Sequence, residues 1–74
     1  MNMLLSFIKF NHKNYDDLDD GHQKKQVEIL ASKLKPLENE ILQNHQAQIT
    51  IMNSGNIFID SFPPELSDKI KALI

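Results

Sequence analysis

Hydrophobic positions fall into four runs separated by polar segments. The first is Met3 to Phe10. In an extended chain Met3, Leu5 and Phe7 point one way, and Leu4, Ser6, Ile8 and Phe10 point the other. Both faces are mostly apolar, which predicts a strand that is either central in a sheet or covered on both sides. A short buried helix suits these residues less well, because the run stops at Asn11 without caps. Asn11 to Gly21 is a loop rich in Asn and Asp. At its end Asp20 has the chemistry of a helix N-cap, and Gln23 stands three positions later at capping-box spacing.

The second run has helical period. Val27, Leu30, Ala31 and Leu34 fall at i, i+3, i+4 and i+7, and Leu37, Ile41 and Leu42 continue in phase. Pro36 breaks the backbone hydrogen bonding but not the period. It lies about 180° around the helix from Val27, on the solvent side. An unbroken helix from Gly21 to about Asn44 would be about 36 Å long. That overhangs a sheet of short strands, so a bend or a restart is expected at Pro36.

Ala47 to Asp60 alternates with period two and predicts a hairpin. A three-residue loop, Asn53-Ser54-Gly55, suits a type I turn followed by Gly in the left-handed region. Met52 then opposes Asn56, Thr50 opposes Phe58, and Gln48 opposes Asp60. On the other face Ile51 meets Ile57 and Ile49 meets Ile59, so the hairpin isoleucines share one side. A two-residue loop at Ser54-Gly55 would set Ile49 against Asp60 and mix the faces, which a half-buried sheet disfavours.

Ser61 to Ile74 predicts a second helix. Pro63 and Pro64 fit only its start. Glu65 and Asp68 then sit near the positive end of the helix dipole, and Lys69 and Lys71 near the negative end. Leu66, Ile70, Leu73 and Ile74 form its apolar stripe, and Phe62 packs at its entry. With the chain stopping on Leu73-Ile74, those two side chains are expected to be buried against the sheet or against another copy. The order is β-α-β-β-α. The expected fold is a small α+β domain, residues 1–74, with a three-stranded sheet and two helices packed on the isoleucine face. The neighbour of the first strand is left open between the two hairpin strands. A crossover beside the second strand would be parallel.

Composition narrows the chemistry. The chain has 74 residues and 41% apolar content, enough for a small core. A chain of this length hides only about 60% of its unfolded surface, and stability on the order of 3–5 kcal/mol is expected unless a partner or second copy adds to it. With no Cys there is no disulfide, thiolate zinc site or Cys nucleophile. With two Gly there is no nucleotide fingerprint that needs three. The start, MNMLLSFIKF, lacks a charge ahead of its apolar run, and Lys9 breaks it early, so it is expected to be mature structure. No apolar run nears the roughly 18 residues of a membrane span, and a cytoplasmic protein is expected.

The formal charge is −2, and all eight positive residues are Lys. Absence of Arg and a net negative charge argue against sequence-specific DNA reading and against phosphoryl transfer. Lys24, Lys25, Lys33 and Lys35 lie on one helix and define the alternative function, weak nucleic-acid binding through phosphate. An ordinary solvated helix face is the preferred account of them.

The most unusual local feature is Tyr15-Asp16-Asp17-Leu18-Asp19-Asp20-Gly21. Aligning Gly21 with the Gly of a calcium-binding EF-hand loop puts Leu18 and Val27 where oxygen ligands are required, so that motif fails. Capping explains Asp20 and leaves Asp16, Asp17 and Asp19 as an acidic knuckle suited to a basic surface on a protein partner. Tyr15 beside it offers a polar-tipped contact. His12, His22 and His45 have no metal-ligand spacing, and no metal or cofactor is expected. Asp19 is placed to orient the His22 imidazole. His22 and His45 otherwise suit exposed helix ends. No hydrolase or metalloprotease motif occurs. The outer hairpin face shows Thr50, Met52 and Phe58 ringed by Gln48, Asn56 and Asp60, and an aromatic on a sheet face often serves binding.

Together these features point to a non-enzymatic protein-binding module: a small inhibitor, adaptor or accessory protein. A phage or mobile-element antagonist of a host enzyme would have this character. The partner-binding residues expected are Tyr15, Asp16, Asp17, Asp19, Thr50, Met52 and Phe58. A homodimer would add the buried area that so short a chain lacks.

Overall fold

The structure, a computed structural model, describes residues 3–74; Met1 and Asn2, the first residues of the apolar start, lie outside it. The elements are α1 (Leu4–Phe7), β1 (Ile8–Phe10), α2 (Gly21–Lys33), α3 (Glu38–Gln43), β2 (Gln48–Ile51), β3 (Ile57–Asp60) and α4 (Pro64–Leu73). Short 3₁₀ turns cover Tyr15–Asp17 and Lys35–Leu37. The sheet has three strands in the order β1-β2-β3, with β1 parallel and β3 antiparallel to β2. This is the expected α+β class with a mixed sheet, and it settles β2 as the neighbour of β1.

The first element corrects the sequence expectation. Only Ile8–Phe10 are strand, and Leu4–Phe7 form one helical turn. Register supplies the reason. Ile8 stands opposite Ile49, one residue inside the start of β2. A longer β1 would run past β2 with nothing to bond, so the backbone satisfies itself locally. Ser6 donates from both its N–H and its Oγ to the Met3 carbonyl, at 3.2 and 2.8 Å. Nor is β1 central. It is an edge strand, with Ile8 and Phe10 buried on one side and Lys9 half-buried on the other.

After β1 the chain reverses through Asn11 and His12. Both have positive φ, 51° and 68°, the signature of a two-residue type I′ turn. Phe10 and Lys13 close it with reciprocal backbone bonds of 3.0 and 2.9 Å. The loop then reaches α2, where the Asp20 carboxylate accepts the His22 N–H at 2.8 Å. The cap is therefore present. The reciprocal bond expected from Gln23 is not formed among the described residues, so it is a one-way cap.

The long apolar stripe folds as two helices. Val27, Leu30, Ala31, Leu34 and Ile41 are all buried, and Pro36 is exposed. Proline lacks an N–H and its ring crowds the carbonyl four residues back, so α2 stops at Lys33 and α3 restarts at Glu38. A single rod of about 36 Å would also exceed the longest dimension of the molecule, 33 Å.

The hairpin has the expected register. Gln48 pairs with Asp60, Ile49 with Ile59, Thr50 with Phe58 and Ile51 with Ile57. Gly55 takes φ 90° in the three-residue loop, and its N–H donates to the Met52 carbonyl at 2.8 Å. Ile49 and Ile51 are buried, and Ile57 and Ile59 pack against the same core as Leu4, Val27, Ile41, Leu66 and Ile70. Phe62, at the entry to α4, packs on Phe7 with ring centroids 6.1 Å apart.

Helix α4 begins at Pro64 behind an extended Pro63, and Leu66 and Ile70 are buried. Leu73 and Ile74 are not. They are 38% and 40% exposed, which excludes burial against the sheet, the first of the two expected covers. Helix α4 doubles back along β3, and Ile74 lies beside Gly55 and Ile57 at the hairpin turn.

Candidate functional site

Strand alternation carries Lys9, Thr50 and Phe58 to the face opposite the core, side by side across the sheet. Phe58 is 58% exposed there. A shallow depression of about 370 Å³ is lined by His12, Gln48, Thr50, Met52, Phe58 and Asp60, with Ile59 completing it. Thr50 is its floor. A small side chain on the central strand between two larger ones, it is only 3% exposed. The accessible apolar surface therefore belongs to Phe58 and the half-buried Met52. Asn56 is exposed beside the hairpin turn but does not line this depression.

His12 joins this surface from a distant part of the chain. The type I′ turn after β1 swings it to the rim, where it shares the depression with Asp60. The signal in the sequence was the pair Asn11-His12 between Phe10 and Lys13: Asn favours the first position of such a turn. His in place of the usual Gly hides the motif.

The acidic loop forms a second region. Tyr15, Asp16 and Asp17 line a groove of about 550 Å³ with Met3, Leu5, Ser6 and Asn14. Asp19 lines neither this groove nor the outer-face depression, and the two share no residue. Among the described residues no group of three or more His, Asp or Glu side chains is placed to hold a metal ion.

Tyr15 is engaged within the chain. Its hydroxyl donates to Glu28 on α2, and Lys24 sits 5.6 Å from its ring centroid. The bond to Glu28, then partial burial and the negative charges of Glu28 and Asp16, raise the phenol above its ordinary value of 10.0. Tyr15 therefore anchors the acidic loop to α2 through a hydroxyl already bonded to Glu28. The His22 ring pairs through Nε2 with the Gln26 amide nitrogen at 2.9 Å, one helical turn on, so Asp19 is not its partner. His45 is exposed in the turn after α3. The four lysines expected on one helix are divided: Lys24, Lys25 and Lys33 are on α2, with Lys24 stacked on Tyr15, whereas Lys35 lies in the 3₁₀ turn beyond the break, 3.9 Å from Glu38.

Among the described residues no helix is long and apolar enough to cross a membrane. Comparison with protein-family models, curated proteins and solved structures finds no match to this chain.

Proposed function

We propose that this chain is a non-enzymatic protein-binding module, an inhibitor, adaptor or accessory protein, with Phe58 as its anchor. The observation that carries the reading is the exposure of Phe58 on the outer sheet face while the hairpin isoleucines turn inward. An aromatic in that position offers a large rigid contact at low entropic cost. Met52 extends the apolar surface, and the rim of Gln48, Asp60 and His12 supplies polar complement around it. Asp16, Asp17 and Asp19 are exposed and steer a partner with a basic surface. This is the character of a small cytoplasmic antagonist, such as a phage or mobile element uses against a host enzyme.

The test is affinity capture from the source cell with the wild-type chain and with Phe58→Ala, both checked for folding by circular dichroism. A specific partner should be retained by the wild type and bound at least about tenfold more weakly by the variant, as for a hot-spot aromatic. A partner held equally well by Phe58→Ala removes the outer face from its recognition.

A further inference from the structure

The two edges of the sheet are finished differently. At the β1 edge the chain folds back, and Lys13 takes both outward-pointing groups of Phe10: its N–H donates to the Phe10 carbonyl, and its carbonyl accepts the Phe10 N–H. At the β3 edge the chain passes directly from Asp60 through Ser61 to α4. Natural edge strands are usually guarded by charge, proline, a bulge or a covering segment. Strand β3 is Ile57-Phe58-Ile59-Asp60, with one charge at its end.

The direction of each backbone group on β3 follows from the ladder. The Met52 N–H donates to the Asn56 carbonyl, so 52/56, 50/58 and 48/60 are the hydrogen-bonded pairs of the hairpin. The Asn11 N–H donates to the Ile51 carbonyl, which confirms that odd-numbered groups on β2 face β1. On β3 the N–H and C=O of Ile57 and Ile59 therefore point away from β2, off the free edge.

We propose that β3 is the edge through which two copies of this chain pair, antiparallel about a two-fold axis, into one continuous six-stranded sheet. The register is constrained by parity. Bonded pairs must join residues with outward groups, and the core faces of both copies must stay on one side. Both conditions exclude Phe58 opposite Ile59. Of the remaining registers, one sets Phe58 against Phe58 of the second copy and Ile57 against Ile59. It uses all the outward groups of both residues in four backbone bonds. It also makes the phenylalanines a non-hydrogen-bonded pair, in which side chains approach most closely. Slipping by two residues would set Phe58 against either Asp60 or Asn56.

Charge complementarity favours a second copy over an unrelated strand. Helix α4 runs back along β3, and Glu65 and Lys69 stand one turn apart on the same flank of it, both exposed, on the side away from α2. A two-fold that reverses β3 also reverses α4, so Glu65 of each helix is set toward Lys69 of the other. The outer face stays open in this arrangement, with the two Phe58 side chains adjacent. Self-association is therefore separable from partner capture, and each can fail without the other.

The experiment is sedimentation of the full chain over a concentration series, with single-cysteine crosslinking to fix the register. The wild type should pass from monomer to dimer as concentration rises. Phe58→Lys sets like charges opposite each other and should weaken dimerisation at least about tenfold. The chain has no cysteine, so an introduced one reports alone. In the proposed register Phe58→Cys puts two Cα atoms about 4.5 Å apart, inside the roughly 4.4–6.8 Å span of a disulfide. Asp60→Cys places its two thiols four residues out of register, about 13 Å apart along the strand, and should not crosslink. A wild type that stays monomeric throughout overturns the proposal. So does a dimer indifferent to Phe58→Lys, or crosslinking that favours position 60 over position 58.

Discussion

Tyr15 is the single tyrosine of the chain, so its titration can be followed without ambiguity. Its phenol value is raised, chiefly by the hydrogen bond to Glu28. A raised folded value favours the neutral form. The stabilisation it reflects is fully present below the ordinary value of 10.0 and is lost as pH rises through the higher folded value. Phenolate absorbance should therefore rise at higher pH than in a free tyrosine, and Glu28→Gln should move the midpoint back down. A midpoint unchanged by Glu28→Gln would show that this bond is not formed. His12 gives a second prediction. A non-glycine residue in the left-handed region costs on the order of 1–2 kcal/mol, and glycine returns part of that gain through the entropy of the unfolded chain. His12→Gly should therefore stabilise the protein by up to about 1 kcal/mol, an increase in Tm of about 4–8 °C at the upper end. Calorimetry checks it. Gly55 was legible because Asn-Ser-Gly is turn chemistry between alternating strands. His12 was not, because histidine, though tolerated at positive φ, enters it far less often than glycine; the paired bonds of Phe10 and Lys13 decide it.

Among the elements, α2 rests on its cap and its buried stripe. Asp20→Ala removes the acceptor for the His22 N–H and should cost about 1 kcal/mol in chemical denaturation. Leu34 stands where α2 ends and is fully buried, whereas Ile29 on the same helix is 48% exposed. Leu34→Ala should cost about 2–5 kcal/mol, enough to unfold much of a domain whose total is on the order of 3–5 kcal/mol. Ile29→Ser should stay within about 0.5 kcal/mol. Equal losses at the two positions would contradict the assigned core face. The stripe from Val27 to Ile41 was legible because helical period survives the break at Pro36. The first element was misjudged because LLSFIKF is apolar on both faces of a strand and also on a helical turn. Period alone does not separate the two when the run is this short.

For the whole molecule, the acidic loop and the outer sheet face act over different distances. Asp16, Asp17 and Asp19 are exposed, so their contribution to any partner is long-range and screened by salt. Replacing all three with Asn should slow association and flatten its dependence on ionic strength, with little change in dissociation rate. Surface-plasmon kinetics over a salt series separates the two. A changed dissociation rate with an unchanged salt slope would assign the loop a direct contact instead. Tyr15, Thr50 and the aspartates were all found in the sequence as candidates. Their division into a depression around Phe58 and a groove beside α1 was not, since it depends on where the turn after β1 carries the chain.

By itself the sequence determined the hairpin register, the inward isoleucines, the break at Pro36 and the start of the last helix. Each follows from a period or a turn residue acting within a few positions, where backbone sterics leave few choices. The tertiary structure decided which strand is central, where β1 begins, which edge stays open and how much of Leu73 and Ile74 is covered. Those depend on which distant segment is at hand to share hydrogen bonds and exclude water, and no local pattern encodes the position of a neighbour.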